Sequence, residues 1–461
     1  MNRHSFNLEP QATPSIDRGV WIAAPLLSLA LIGLVHDLGY ATALGGDSAE
    51  AGRFFEGQAE FQSDVGSAAT GRIFGFACLL LAGVYCALTV PRGRRFQWNA
   101  LSLLIAMGLL WTLASVTWSV EPHHTIRELM RLFAYVFVAA MLALRFNPRS
   151  LCLMLIIALA ASIATAIGVE IVTGGFRPWV PDYRLSGSMH SGAVGSFSML
   201  LVLGTYAMAR QQQGKRWWCL FAMALACLLL SKALTAFVAT AAGLVAIHLL
   251  GKSKRSLVLG ACCMATLLAA GLMATSAVDF WSQFRSGRVD TLGRDYDFTS
   301  FNGRVPLWNV LWNALDGKRI EGFGFGAYWV SDRIELLNDE LNWYASHAHS
   351  AYLGTMVHLG LVGLVLLLAT ALLALRCTVR RIRTIGSPEY YVIASWMVAA
   401  FVIGIAETNV VEPRDLGLCT AAIVFSCIAS HRLASATARE SYVHLATVPL
   451  HTSAASEGHF A

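Results

Sequence analysis

The chain has 461 residues, of which 56% are hydrophobic and only 13% charged, with a formal net charge of +6. Soluble domains carry about 25% charged residues, so a water-soluble enzyme or binding module of this length is excluded. The positive charge is scattered over several short pieces, which speaks against a nucleic-acid partner.

In chain order, a polar tail (1–19) precedes about twelve apolar runs. They fall near 20–38, 71–90, 98–116, 129–144, 151–172, 185–208, 216–231, 234–250, 256–278, 350–375, 390–406 and 416–431. Apolar runs of this length read as membrane spans. Lipid offers the backbone no hydrogen-bond partner, and the runs do not alternate as barrel strands do, so each is expected to be a helix. The fold class is therefore an all-α polytopic membrane protein with about 12 transmembrane helices. The first run is read as an uncleaved helix, although Ala41-Thr42-Ala43 resembles a processing site. The expected domains are the tail, helices 1–9 over 20–278, a large loop over 279–349, helices 10–12 over 350–431 and a second tail over 432–461.

The loops at 91–97, 145–150, 209–216, 251–255 and 376–388, with the two tails, hold nineteen Lys and Arg; the short loops of opposite parity hold about six. This bias puts both termini in the cytoplasm. All ten cysteines lie in or beside apolar runs, so neither structural disulfides nor a zinc site is expected. Two outward segments are long. Residues 39–70 are acidic. Residues 279–349 hold seven Lys/Arg and ten Asp/Glu, too many charges for lipid, and enough aromatic residues to fold. A cap with short helices near 305–316 and 331–341 is expected there, since long structureless loops are uncommon.

Four groups of residues carry candidate chemistry. Around His347 and His349, three readings compete. The pair could join a metal, but a third ligand at workable distance is not evident. The stretch could be polar cover over a helix start, with Ser350 as N-cap. Or His349 could be a general base, since an imidazole titrates near neutrality. In the second group, Gly303-Arg304 precedes an amphipathic turn with Trp308 and Trp312. The Arg fork suits phosphate, although an outer-loop arginine is commonly a solvated charge. The third is Gly322, Gly324 and Gly326, a G-x-G-x-G run. No P-loop accompanies it and the loop faces away from cytoplasmic nucleotides, so it reads as a tight turn against a ligand or the bundle. Last come polar residues at the outward helix ends, among them Arg127, Arg131, Arg177, Arg184, His190, Lys232, Glu407 and Glu412. Ionisable groups at membrane depth are costly and line cavities; together they suggest a pocket for an anionic lipid head.

At these residues the chain resembles the O-antigen ligase and O-antigen/exopolysaccharide polymerase superfamily. His349-Ser350, nine residues, then Gly360-Leu-Val-Gly363 is similar to the ligase motif. Gly303-Arg304 with Trp308 resembles another. The runs GFGFGAYW (322–329) and TWSVEPHHTIREL (117–129) resemble the exopolysaccharide branch. The likeness is strongest over 216–365. It implies a metal-free, cofactor-free, inverting glycosyl transfer at the periplasmic face of the bacterial inner membrane. The donor would be an undecaprenyl-pyrophosphate-linked oligosaccharide, and the acceptor another glycan or lipid A core. Partners in polysaccharide assembly and export would accompany it. His349 and Arg304 would be catalytic, and Lys232, Arg184, Arg127, His347, His190 and Ser350 would hold substrate or pyrophosphate. Gly360, Gly363, Gly322, Gly324, Gly326 and Trp308 would be structural, with Gly360 and Gly363 allowing close helix packing. One departure stands out. Ser231-Lys232 occupies the place of a serine-arginine pair in the ligases, and lysine lacks the bidentate fork. Polymerisation of repeat units is the first expectation, ligation to lipid A core the second, and a lipid-glycan transporter the third.

Overall fold

The computed structural model describes residues 17–36, 67–180, 183–212, 214–250, 288–290, 295–297, 304–341, 345–408 and 417–429. The expected ninth span, most of the 39–70 segment and residues 432–461 lie outside the described residues.

Eleven of the twelve apolar runs coincide with helices. They are α1 (Val20–Val35), α2 (Ser67–Leu88), α3 (Ala100–Ala114), α4 (Pro122–Arg145), α5 (Pro148–Thr173), α6 (Ser191–Gln212), α7 (Lys215–Ser231) and α8 (Leu234–Leu249). After the cap helices α9 (Arg304–Ala314) and α10 (Ser331–Leu341) come α11 (Ala351–Thr384), α12 (Pro388–Ile403) and α13 (Gly417–Ile428). Among the described residues, five stretches are long and apolar enough to cross a membrane: Thr70–Leu88, Ala100–Thr117, Pro148–Thr173, Ser191–Arg210 and Ala351–Thr384. The chain is thus an all-α integral membrane protein. The α6 helix starts six residues later than its apolar run because 185–190 turns back over the helix ends. A short antiparallel pair, Arg288–Asp290 with Asp295–Asp297, was not anticipated from the sequence.

Side-chain locks define two ends of the bundle. At one, Arg145 forms a bidentate pair with Asp17 (2.5 and 3.0 Å), Arg94 donates to the Leu144 and Arg145 carbonyls, and Arg381 donates to Cys427 O. At the other, the cap meets the helices. Leu307, Leu311, Leu315, Tyr328, Leu337 and Ala348 form a core that includes Val357 from α11. The cap is therefore built on the first two turns of α11.

Gly360 does not serve close helix packing as the sequence predicted. Gly360 (φ 65, ψ −166) breaks α11, and a Cβ there would lie 2.0 Å from Ile320 O. Such a backbone is essentially restricted to glycine. The cap segment 319–325 enters the break and satisfies the freed groups. Leu361 N donates to Arg319 O (2.8 Å), Phe323 N to Val357 O (2.9 Å) and Gly324 N to His358 O (3.0 Å). Trp111 Nε1 donates to Leu359 O and Trp118 Nε1 to Glu321 O, both at 3.0 Å. Gly322, Gly324 and Gly326 all take positive φ in this insertion, so the glycine run lies against the bundle. The close glycine contact between helices occurs elsewhere: a Cβ on Gly33 would meet Gly75 Cα at 2.7 Å.

Candidate active site

The site lies where the start of α11, the end of α12 and the α7–α8 turn come together. Ser350 caps α11: its Oγ accepts from Leu353 N at 3.4 Å, and the residue is buried. Ala351 N donates to Gly404 O (2.8 Å) and Glu407 O (3.1 Å), so the chain leaving α12 is stitched to this N-terminus. Tyr352 OH donates to Phe401 O at 2.6 Å, fixing the same crossing.

This stitching carries Glu407 to the cap. Its Oε1 accepts from Arg304 Nη2 at 2.8 Å and from Thr235 Oγ1 at 3.4 Å. Arg304 and Glu407 side chains are 15% and 19% exposed, so water screens the pair little. Thr235 stands on α8, three residues after Lys232. One carboxylate therefore joins the cap arginine to the α7–α8 turn.

His349 sits beside this pair in the left-handed region (φ 45), and Lys232 adopts the same conformation (φ 49) as C-cap of α7. They are the two non-glycine residues with positive φ among the described residues. Glycine would fit both places without strain, and strained residues concentrate at functional sites. The His347 and His349 rings lie 4.0 Å apart between centroids, tilted by 35°. Burial first, then the nearby His347, Arg304 and His190, hold the His349 imidazole well below the usual histidine range. The ring is therefore neutral at pH 7 and can accept a proton. Trp308 supports the loop from the cap by donating to Ala348 O at 2.9 Å.

The α7–α8 turn is built from short polar contacts. Lys232 N donates to Leu229 O (3.2 Å), and Leu185 N donates to Leu230 O (2.8 Å). Arg184 Nε reaches Ser231 O at 3.4 Å. A Cβ on Gly195 would meet Ala233 Cβ at 2.4 Å, so α6 crosses directly over the turn. His190, just before α6, accepts Gly192 N at Nδ1 (3.2 Å).

Of the sequence-predicted residues, His349, His347, His190 and Arg304 interact electrostatically as one group, joined through Glu407 to α8 just after the Lys232 turn, which Arg184 contacts from the link between α5 and α6. Arg127 belongs to a different place. It contacts His124 (Nη2 to Nδ1, 2.7 Å) beside Glu128, which lies under Gly326. The described residues show no contact between Arg127 and the His349 group. His358 is packed within the cap insertion, its Nδ1 accepting Gly326 N at 2.9 Å. Glu407 was noted in the sequence only as an outward polar residue; no local spacing ties it to an arginine 103 positions away. Among the described residues no three His, Cys, Asp or Glu side chains could share a metal ion.

A multi-helix membrane protein with a folded cap, and with histidines, a cap arginine and a lysine turn gathered beneath it, is the class this geometry defines. Residues 218–368, which contain Lys232, Arg304, His349 and the break at Gly360, match the family model described as O-antigen ligase. The chain is also 24% identical over 359 residues to the exopolysaccharide production protein ExoQ of Rhizobium meliloti (strain 1021), covering 73% of this chain and 79% of that protein. The chain is thus similar to O-antigen ligases over residues 218–368 and, more distantly along most of its length, to an exopolysaccharide production protein.

Proposed function

We propose that the protein is an inner-membrane glycosyltransferase that joins polyprenyl-pyrophosphate-linked repeat units of an exopolysaccharide or O-antigen on the periplasmic side. The observation that carries this reading is the gathering of a neutral His349 with Arg304, His190 and the Lys232 turn. An acceptor hydroxyl of one lipid-linked unit attacks the anomeric carbon of another from the face opposite its pyrophosphate. The new glycosidic C–O bond forms as the bond to the pyrophosphate oxygen breaks, so configuration inverts. His349 takes the hydroxyl proton. The polyprenyl pyrophosphate leaves with the bonding pair, its growing charge met by Arg304 and Lys232. Arg304 has five N–H donors, so it can keep Glu407 and still address phosphate oxygens.

The low proton affinity of His349 belongs to the site without substrate. A bound pyrophosphate adds negative charge among the same cations, which raises that affinity when a base is needed. Likeness to an exopolysaccharide production protein favours polymerisation, and the match to the ligase family supports transfer to lipid A core as the second reading. Purified protein supplied with lipid-linked repeat units distinguishes them. A ladder of longer lipid-linked chains supports polymerisation. A single transfer onto added lipid A core, with no ladder, replaces it with ligation.

A further inference from the structure

We infer that Glu170 is a positioning residue that sets Arg184 in register against the Lys232 turn for the pyrophosphate, an inference that rests on the reading proposed above. Glu170 is buried near the end of α5. Its carboxylate is directed entirely into the segment that links α5 to α6. Oε1 accepts from Ser186 N (2.9 Å) and Gly187 N (2.7 Å), and Oε2 accepts from Tyr183 OH. Its backbone carbonyl also accepts from Phe176 N (3.1 Å), so both limbs of the link return to one residue.

A buried carboxylate is costly unless its oxygens are hydrogen-bonded, and here three donors from one segment meet that need. The grip is close: Gly187 (φ 61) rides so near α5 that a Cβ would lie 2.4 Å from Ala166 O. The residues held between Tyr183 and Ser186 are those that reach the candidate site. Arg184 Nε approaches Ser231 O and Leu185 N donates to Leu230 O, the two residues before Lys232. His190 follows three residues after Gly187. Glu170 lies in none of the direct contacts of the His349 group; it acts through the link.

Glutamine keeps the shape of Glu170 but offers one acceptor oxygen where two amides and a phenol now share two. The test uses the full-length protein in lipid nanodiscs, comparing wild type, Glu170→Gln, Arg184→Gln and the double variant. Hydrogen exchange is read over 183–190, farnesyl pyrophosphate is the binding probe, and KM and kcat are read with lipid-linked repeat units. Glu170→Gln is expected to speed exchange over 183–190 while α5 and α6 stay protected. It should weaken probe binding and raise KM by about tenfold, as loss of a charge-assisted hydrogen bond does, with kcat within about twofold. In the Arg184→Gln background the same change should add less than about twofold. Unchanged exchange, unchanged KM, or equal effects in both backgrounds overturn the inference. Wild-type protein that binds the probe but transfers no sugar overturns the glycosyltransferase reading and leaves Glu170 to be judged by binding and exchange. Wild-type protein that does neither overturns both.

Discussion

Replacing Lys232 by alanine and, separately, by glycine isolates the backbone cost at this turn. Both changes delete the same charge and the same side-chain contacts, so their difference reports the left-handed conformation at φ 49. An L-residue there is strained by roughly 1–2 kcal/mol, and glycine escapes that strain. Glycine also loses more freedom on folding, by roughly 0.5–1 kcal/mol. The balance favours Lys232→Gly over Lys232→Ala by about 0.5–1 kcal/mol. In a helix interior the order is reversed, with alanine ahead by a similar amount. The same pair of changes at His349 (φ 45) should give the same order. Equilibrium unfolding in mixed lipid–detergent micelles measures stability, and sugar transfer is followed on the same preparations. The glycine variants should be the more stable pair, and both His349 variants should be inactive. Alanine variants as stable as, or more stable than, their glycine counterparts would refute the strain argument.

Glu407→Gln keeps the contour of the clamp but removes the charge facing Arg304, and should lower kcat/KM by about 10–100-fold, the range for hydrogen bonds to charged groups; steady-state transfer kinetics check this. Gly360→Ala must place a methyl group 2.0 Å from Ile320 O at a glycine-only backbone angle, and should cost at least about 3 kcal/mol, seen as loss of folded protein in size-exclusion profiles. Trp111→Phe, which loses the bond to Leu359 O, should cost only about 1 kcal/mol in the same unfolding assay. For pH, the sign follows from the lowered proton affinity of His349. Below the ordinary histidine value of about 6.5 the unfolded chain binds a proton that the folded chain resists. Stability is therefore full above that value and declines on acidification, and His349→Gln should flatten the decline. By the same reasoning, kcat/KM should hold steady through neutrality and fall only well below pH 6.5.

The helices were legible because lipid leaves the backbone one solution, so an apolar run reports its own structure. Their ends were less so. The segment 185–190 reads as the start of a span because it runs into the apolar stretch behind it, yet its amides are committed to Glu170 and Leu230 across chain separations that no local pattern records. His349 and Arg304 could be singled out by spacing and by resemblance. What spacing hid was the clamp between Arg304 and Glu407, the strain at Lys232 and His349, and the break at Gly360. Each depends on contacts between distant segments. Gly360-x-x-Gly363 looked like a packing motif because paired small residues on one helix let a neighbour approach when the helix is continuous, and α11 is broken at Gly360. Arg127 shared residue type and expected side with Arg184, but α4 carries it to the glycine-rich insertion instead.

In the proposed reaction His349 takes the acceptor proton in a transfer between lipid-linked glycans. This step is tested by comparing wild type and His349→Ala, both shown to be folded, in a purified reaction with lipid-linked repeat units. Wild type should build a ladder of longer lipid-linked chains, while the variant binds the donor and builds none. A ladder of equal rate and length from His349→Ala would exclude His349 as the base.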